Sequence, residues 1–193
     1  MLYLTPASIS YLNQFLLSLL IAGYLLLRSL RKRLWSRQDV FLLIFFVSAT
    51  VFSGLLFSEA SLLPAERLFF IYPQNAVIAI LMIALLQFAY AFPELRSEHK
   101  LERRLALVAF GLYALLEAGF AAWRYALLAE NQVEFRLDWM DFGPVLGFFW
   151  IIFVFTRSLF HNWNITASRR FALIFLIPFG LSWLNLLNSF ALV

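Results

Sequence analysis

The chain has 193 residues, 63% of them hydrophobic and 13% charged, with a mean hydropathy of +0.84. A soluble domain carries about 25% charged residues, so a chain this apolar cannot clothe a core in polar surface, and lipid must be its solvent. The formal charge of +4 is not read as a nucleic-acid signal, and the lack of cysteine excludes disulfides, thiolate chemistry and Cys-ligated metals.

Six apolar segments are predicted in chain order: Ile9–Leu30, Val40–Phe57, Ile71–Phe92, Leu105–Leu128, Phe142–Phe160 and Phe171–Val193. Each has roughly 18 to 24 residues, which at about 1.5 Å per residue crosses a hydrocarbon core of about 30 Å. Helices are required, because an open strand edge cannot satisfy its backbone in lipid. A barrel would need alternating segments of about ten residues, and these runs are continuous. The expected fold is therefore an all-α, polytopic transmembrane bundle forming a single domain over residues 1–193. Pro73 and Pro144 are expected in the first turns of the third and fifth spans, where a missing N–H costs little. Pro93 closes the third span, and Tyr3, Tyr11, Trp35, Tyr72, Trp123, Tyr125, Trp139 and Trp163 fall near span ends as an aromatic belt does.

The loops alternate in charge. Arg28, Arg31, Lys32, Arg33 and Arg37 follow the first span, Arg96, Lys100, Arg103 and Arg104 the third, and Arg157, Arg169 and Arg170 the fifth. The even loops carry only Arg67, Arg124 and Arg136. One side thus has 12 basic and 4 acidic residues, the other 3 basic and 6 acidic, with Glu117 inside a span. Basic residues are retained in the cytoplasm, so the odd loops are expected inside, and both the N-terminus and the end of the sixth span outside. The basic side is expected to meet anionic lipid headgroups. The start, Met1-Leu2-Tyr3-Leu4-Thr5-Pro6, lacks the positive region of a cleavable signal, so the first span is expected to remain as an anchor.

Glu117 is the leading candidate for function. A charge at mid-span costs several kcal/mol on insertion scales, of order 3 kcal/mol. Gly111, Ala114, Ala118, Ala121 and Ala122 surround it at spacings of three and four, a small-residue stripe that lets helices approach. Glu117 is therefore expected to face the bundle, either as a proton-linked, cation-binding or ligand-anchoring group, or as a hydrogen-bonded packing element. Arg124 lies two turns away, about 10 Å along the axis and too far for an easy direct pair. In the sixth span Pro178 and Gly180 are expected to form a kink, followed by Ser182, Asn185, Asn188 and Ser189 as an amide stripe. That stripe lines a pocket or acts as interhelical glue. Asn75 and Gln87, twelve residues apart, are read as sharing an azimuth, and Asn13 and Gln14 enter the first span near its outer end. These groups, set among 23 Phe, suit a hydrophobic or lipid-like ligand; the plainer account is that the Phe face lipid. Val133-Glu134-Phe135-Arg136-Leu137-Asp138-Trp139 alternates apolar and polar residues, reading as an extended lid or as a loop resting on the bilayer.

Catalytic motifs and paired catalytic carboxylates are not found, and no enzyme activity, metal or cofactor is expected of this segment. His99 and His161 fall in inner loops, which disfavours a haem held inside the bundle. The two lysines, Lys32 and Lys100, lie outside the predicted spans, which excludes a retinal Schiff base.

The phrase Leu86-Gln87-Phe88-Ala89-Tyr90-Ala91-Phe92-Pro93, the N-out layout and the short loops resemble the N-terminal multi-span sensor regions of bacterial signalling proteins. Such regions typically have seven spans and precede cytoplasmic kinase, cyclase or phosphatase domains. The resemblance implies a sensory or signal-transducing module of the bacterial cytoplasmic membrane, acting as a homodimer, with no nucleic-acid partner. Six spans leave the C-terminus outside, so a seventh span and an effector are expected beyond Val193. A small solute transporter, its substrate-binding membrane subunit, or an accessory subunit of a larger complex are the alternatives; no inverted repeat is seen.

Overall fold

The computed structural model describes residues 4–32, 35–62, 64–92, 99–129, 143–161 and 166. Five helices make up these segments: α1 (Pro6–Lys32), α2 (Arg37–Ser61), α3 (Pro64–Ala91), α4 (Lys100–Ala129) and α5 (Gly143–His161). All five are long and apolar enough to cross a membrane, and the described residues hold no strand. The protein is thus an all-helical integral membrane protein. The predicted sixth span, with Pro178, Gly180, Asn185 and Asn188, lies outside the described residues, as does the alternating segment 133–139.

The helix ends follow local chemistry. Thr5 and Ser8 cap α1 reciprocally: Ser8 N donates to Thr5 Oγ1 at 3.1 Å, and Thr5 N to Ser8 Oγ at 2.8 Å. Pro6 follows the cap, where its missing N–H is harmless. This cap starts the helix three residues before the predicted Ile9. Thr5→Ala should cost about 1 kcal/mol, read as an earlier thermal unfolding in detergent. Ser36 caps α2 by accepting from Asp39 N at 3.1 Å.

Pro64, not Pro73, takes the first position of α3, so the expectation that Pro73 sits in the first turn is corrected. Pro73 is interior to the helix. It has no N–H to give to the carbonyl four residues back, that of Phe69. The Tyr125 hydroxyl of α4 donates to that freed carbonyl. A neighbouring helix thus supplies the bond that the proline removes, as membrane helices require.

Contacts between helices fix their directions. Gln87 reaches Arg103, Tyr90 reaches Glu102 and Tyr125 reaches Phe69, so α3 and α4 are antiparallel. Gln38 Nε2 donates to the Ala91 carbonyl and Gln74 Nε2 to Glu59, so α2 and α3 are antiparallel too. Phe88 meets Phe155 while Ser158 Oγ donates to the Phe92 carbonyl, so α5 runs parallel to α3. One end of the bundle therefore gathers Arg31, Lys32, Arg37, Lys100, Arg103, Arg104 and Arg157.

The hub is α3, which packs on α2, α4 and α5, while α1 packs on α2. From Ala84 to Ala91 every residue of α3 is buried. Met82, Leu85, Leu86, Phe88 and Ala89 form one apolar cluster with Ala106 of α4 and with Ile151, Val154 and Phe155 of α5. The seam of α1 is built differently, with buried Ser18, Ala22, Leu25 and Ser29 at spacings of four, three and four. Small residues allow close backbone approach. The Ser18 hydroxyl remains satisfied by donating to the Gln14 carbonyl of its own helix at 2.7 Å.

Candidate functional site

A polar cluster joins α3, α4 and α5 at the basic end. Arg157 Nη2 donates to both oxygens of Glu102, each at 3.0 Å. The Tyr90 hydroxyl donates to Glu102 Oε1 at 2.8 Å and accepts from Trp150 Nε1 at 3.0 Å. His99 Nδ1 lies 3.6 Å from Glu102 Oε2. Each position has a local reason. Glu102 is in the first turn of α4, where the N–H end of the helix favours an anion. Trp150 and Arg157 are seven residues apart, about two turns, and so share one face of α5. Tyr90 sits in the last turn of α3, facing both helices. The Glu102 and Arg157 side chains keep 28% and 32% of their surface exposed, so water and headgroups reach the pair.

Glu102 and Arg157 are expected among the charges of the inner loops. Both are helical, and they reach each other. The available signal was an arginine within the predicted fifth span, seven residues after a tryptophan.

Glu117 is buried at 4% exposure, although Leu116, Ala118, Gly119 and Phe120 beside it are exposed. It therefore points inward, as expected. The small-residue stripe around it is divided, with Gly111, Ala114 and Ala121 half-buried. Ala118 and Ala122 are exposed, and among the described residues no atom lies within 4 Å of a Cβ built at Gly111. Close approach occurs instead on α5, at Gly143 and Gly147.

Asn75 and Gln87 do not share an azimuth. Twelve residues are three and a third turns, which leaves them about 120° apart in angle and about 18 Å apart along the axis. Gln87 is buried, and its amide donates to the Arg103 carbonyl of α4 at 3.3 Å. It belongs to the basic end. The antiparallel register of α3 and α4 sets Asn75, partly buried, level with Glu117. Two polar sites result: Asn75 and Glu117 deep in the span, and the Tyr90–Glu102–Arg157 cluster at the basic end.

Glu117→Gln should remain within about 1 kcal/mol of the natural protein while Glu117→Leu loses more, because glutamine keeps hydrogen-bonding capacity in place. Thermal unfolding in detergent reads this. Equal tolerance of both changes would remove Glu117 from the polar framework.

Between the two sites an apolar groove opens in the wall formed by α4 and α5. It has a volume of 320 Å³ and is lined by Glu102, Leu105, Ala106, Ala109, Phe110 and Trp150. Glu102, which holds Arg157, lines its basic end. Phe110, which packs against Gly147, lines its other end, and Tyr113 packs against Gly143 further along the same two helices. Among the described residues no group of three or more His, Asp or Glu could hold a metal ion. No protein-family model, curated protein or solved structure matches this chain.

Proposed function

We propose that the protein is a membrane-embedded sensory or signal-transducing module that couples a ligand or a bilayer property to a cytoplasmic output. The observation that carries this reading is the half-exposed Glu102–Arg157 bridge. It links two helices whose main packing partner is a third, α3. A bridge of that kind can open and close without dismantling the core, which is what a two-state element needs. The distribution of basic residues supports a cytoplasmic location for the bridged end and an outer N-terminus, and the resemblance to sensor regions is what suggests a bacterial cytoplasmic membrane. The active form is a homodimer.

The test exploits the absence of cysteine. Leu101→Cys and Phe160→Cys place spin labels at exposed positions on α4 and α5 near the bridge. Distances are then measured in nanodiscs of dimyristoyl and of dioleoyl phosphatidylcholine, which differ in thickness. Two distance populations whose ratio changes with thickness, and which Glu102→Gln drives to the open one, are expected. A single unchanged distance would overturn the sensor reading. Solute uptake into proteoliposomes would then favour a transporter, and a stoichiometric co-purifying protein would favour an accessory subunit.

A further inference from the structure

We infer that the groove between α4 and α5 is a specific site for an anionic phospholipid, with one acyl chain along the groove and the phosphate on Arg157. The apolar part is of the right kind: Leu105, Ala109 and Trp150 are exposed beside the half-buried Phe110. From Glu102 to Ala109 along α4 is seven residues, about 10 Å of groove, long enough for a stretch of acyl chain that ends at the carboxylate held by Arg157.

Arg157 supplies the headgroup contact. Its guanidinium holds Glu102 through Nη2 alone and stands 5.3 Å over the Phe153 ring. Among the described residues no group accepts from its Nη1 or Nε, so each keeps an N–H that can donate to a phosphate oxygen. Because Glu102 balances the charge of Arg157, the excess charge at this end comes from Lys100, Arg103 and Arg104 in the first turns of α4. Those residues draw anionic headgroups to the mouth of the groove. A zwitterionic lipid offers the same chain but gains less from this field. The occupant is thus selected by its head and held by its chain. The inference does not depend on a signalling role.

The purified protein in detergent is titrated with dioleoyl phosphatidylglycerol or dioleoyl phosphatidylcholine, and bound lipid is counted by native mass spectrometry. One phosphatidylglycerol is expected to be retained per chain, about tenfold more tightly than phosphatidylcholine, the size of one charge-assisted interaction. Ala109→Phe fills the groove at an exposed position and leaves the bridge intact. It should abolish the preference, and Arg157→Gln should abolish it as well. Three results would overturn the inference: equal retention of the two lipids, an Ala109→Phe protein that still selects phosphatidylglycerol, or oleate or inorganic phosphate binding as tightly as the phospholipid.

Discussion

Replacing Gly147 by leucine is expected to lower stability by about 3 kcal/mol, the upper part of the range for overpacking a dense interior. A Cβ built at Gly147 comes within 2.5 Å of Met82 Cε and 2.5 Å of Phe110 Cε1, with Phe110 Cζ at 3.0 Å. Three helices meet at that point, one contributing only a hydrogen. The Met82 methyl is the end of a flexible side chain and can retreat. The Phe110 ring has less freedom, because moving it disturbs the wall of the groove. Gly147→Ala should therefore cost about 1 kcal/mol and Gly147→Leu clearly more. Gly119→Ala is the control, since among the described residues nothing lies within 4 Å of a Cβ there. It should be neutral or slightly stabilising, as alanine is the better helix former. Thermal unfolding of the three variants in one detergent decides the matter. Equal melting temperatures for Gly147→Leu and the control would mean that α4 and α5 do not close at this point.

Breaking the Glu102–Arg157 bridge from either side should cost about 2 kcal/mol. That lies between the 0.2–1 kcal/mol typical of exposed pairs and the 3–5 kcal/mol of fully buried ones, about where two groups near 30% exposure belong. Glu102→Gln keeps an oxygen for the Tyr90 hydroxyl and so removes mainly the charge. Arg157→Gln leaves the carboxylate with Tyr90 as its donor and His99 nearby. In the double variant neither charge is stranded, so its loss should fall short of the two single losses added together by about 1 kcal/mol. Raising the ionic strength should narrow the gap between natural protein and single variants, because the pair is open to solvent. Strict additivity would show that the two residues stabilise the bundle independently.

Much of the fold is legible in the sequence. Continuous apolar runs define the helices, and the charge alternation anticipates the common basic end of α1 through α5. Glu117 reads correctly as inward-facing because a lone carboxylate in lipid has no other favourable direction. The bridge is harder to see. Its members lie 55 residues apart, on helices that meet only in three dimensions, and each looks like an ordinary interfacial charge. Glycine is misread for a related reason. Spacing alone makes Gly111 and its alanine neighbours look like a seam, whereas Gly143 and Gly147 matter because Tyr113 and Phe110 come from elsewhere to fill them. Pro73 looks like a helix start because an interior proline needs an outside donor, and Tyr125 follows 52 residues later.

The central position of α3 also shapes how the chain is made. This helix leaves the ribosome before the two helices that enclose its buried half. As it emerges, Gln87 and Tyr90 have neither the Arg103 carbonyl nor the Glu102 carboxylate to bond, since α4 has still to be synthesised. When α4 arrives it brings Glu102 without its counter-charge, which follows only with the last turns of α5. The nascent bundle therefore remains electrostatically unfinished until Arg157 is in place. A chain halted before that residue would leave the Glu102 carboxylate with the Tyr90 hydroxyl as its donor and without the arginine that ties α4 to α5.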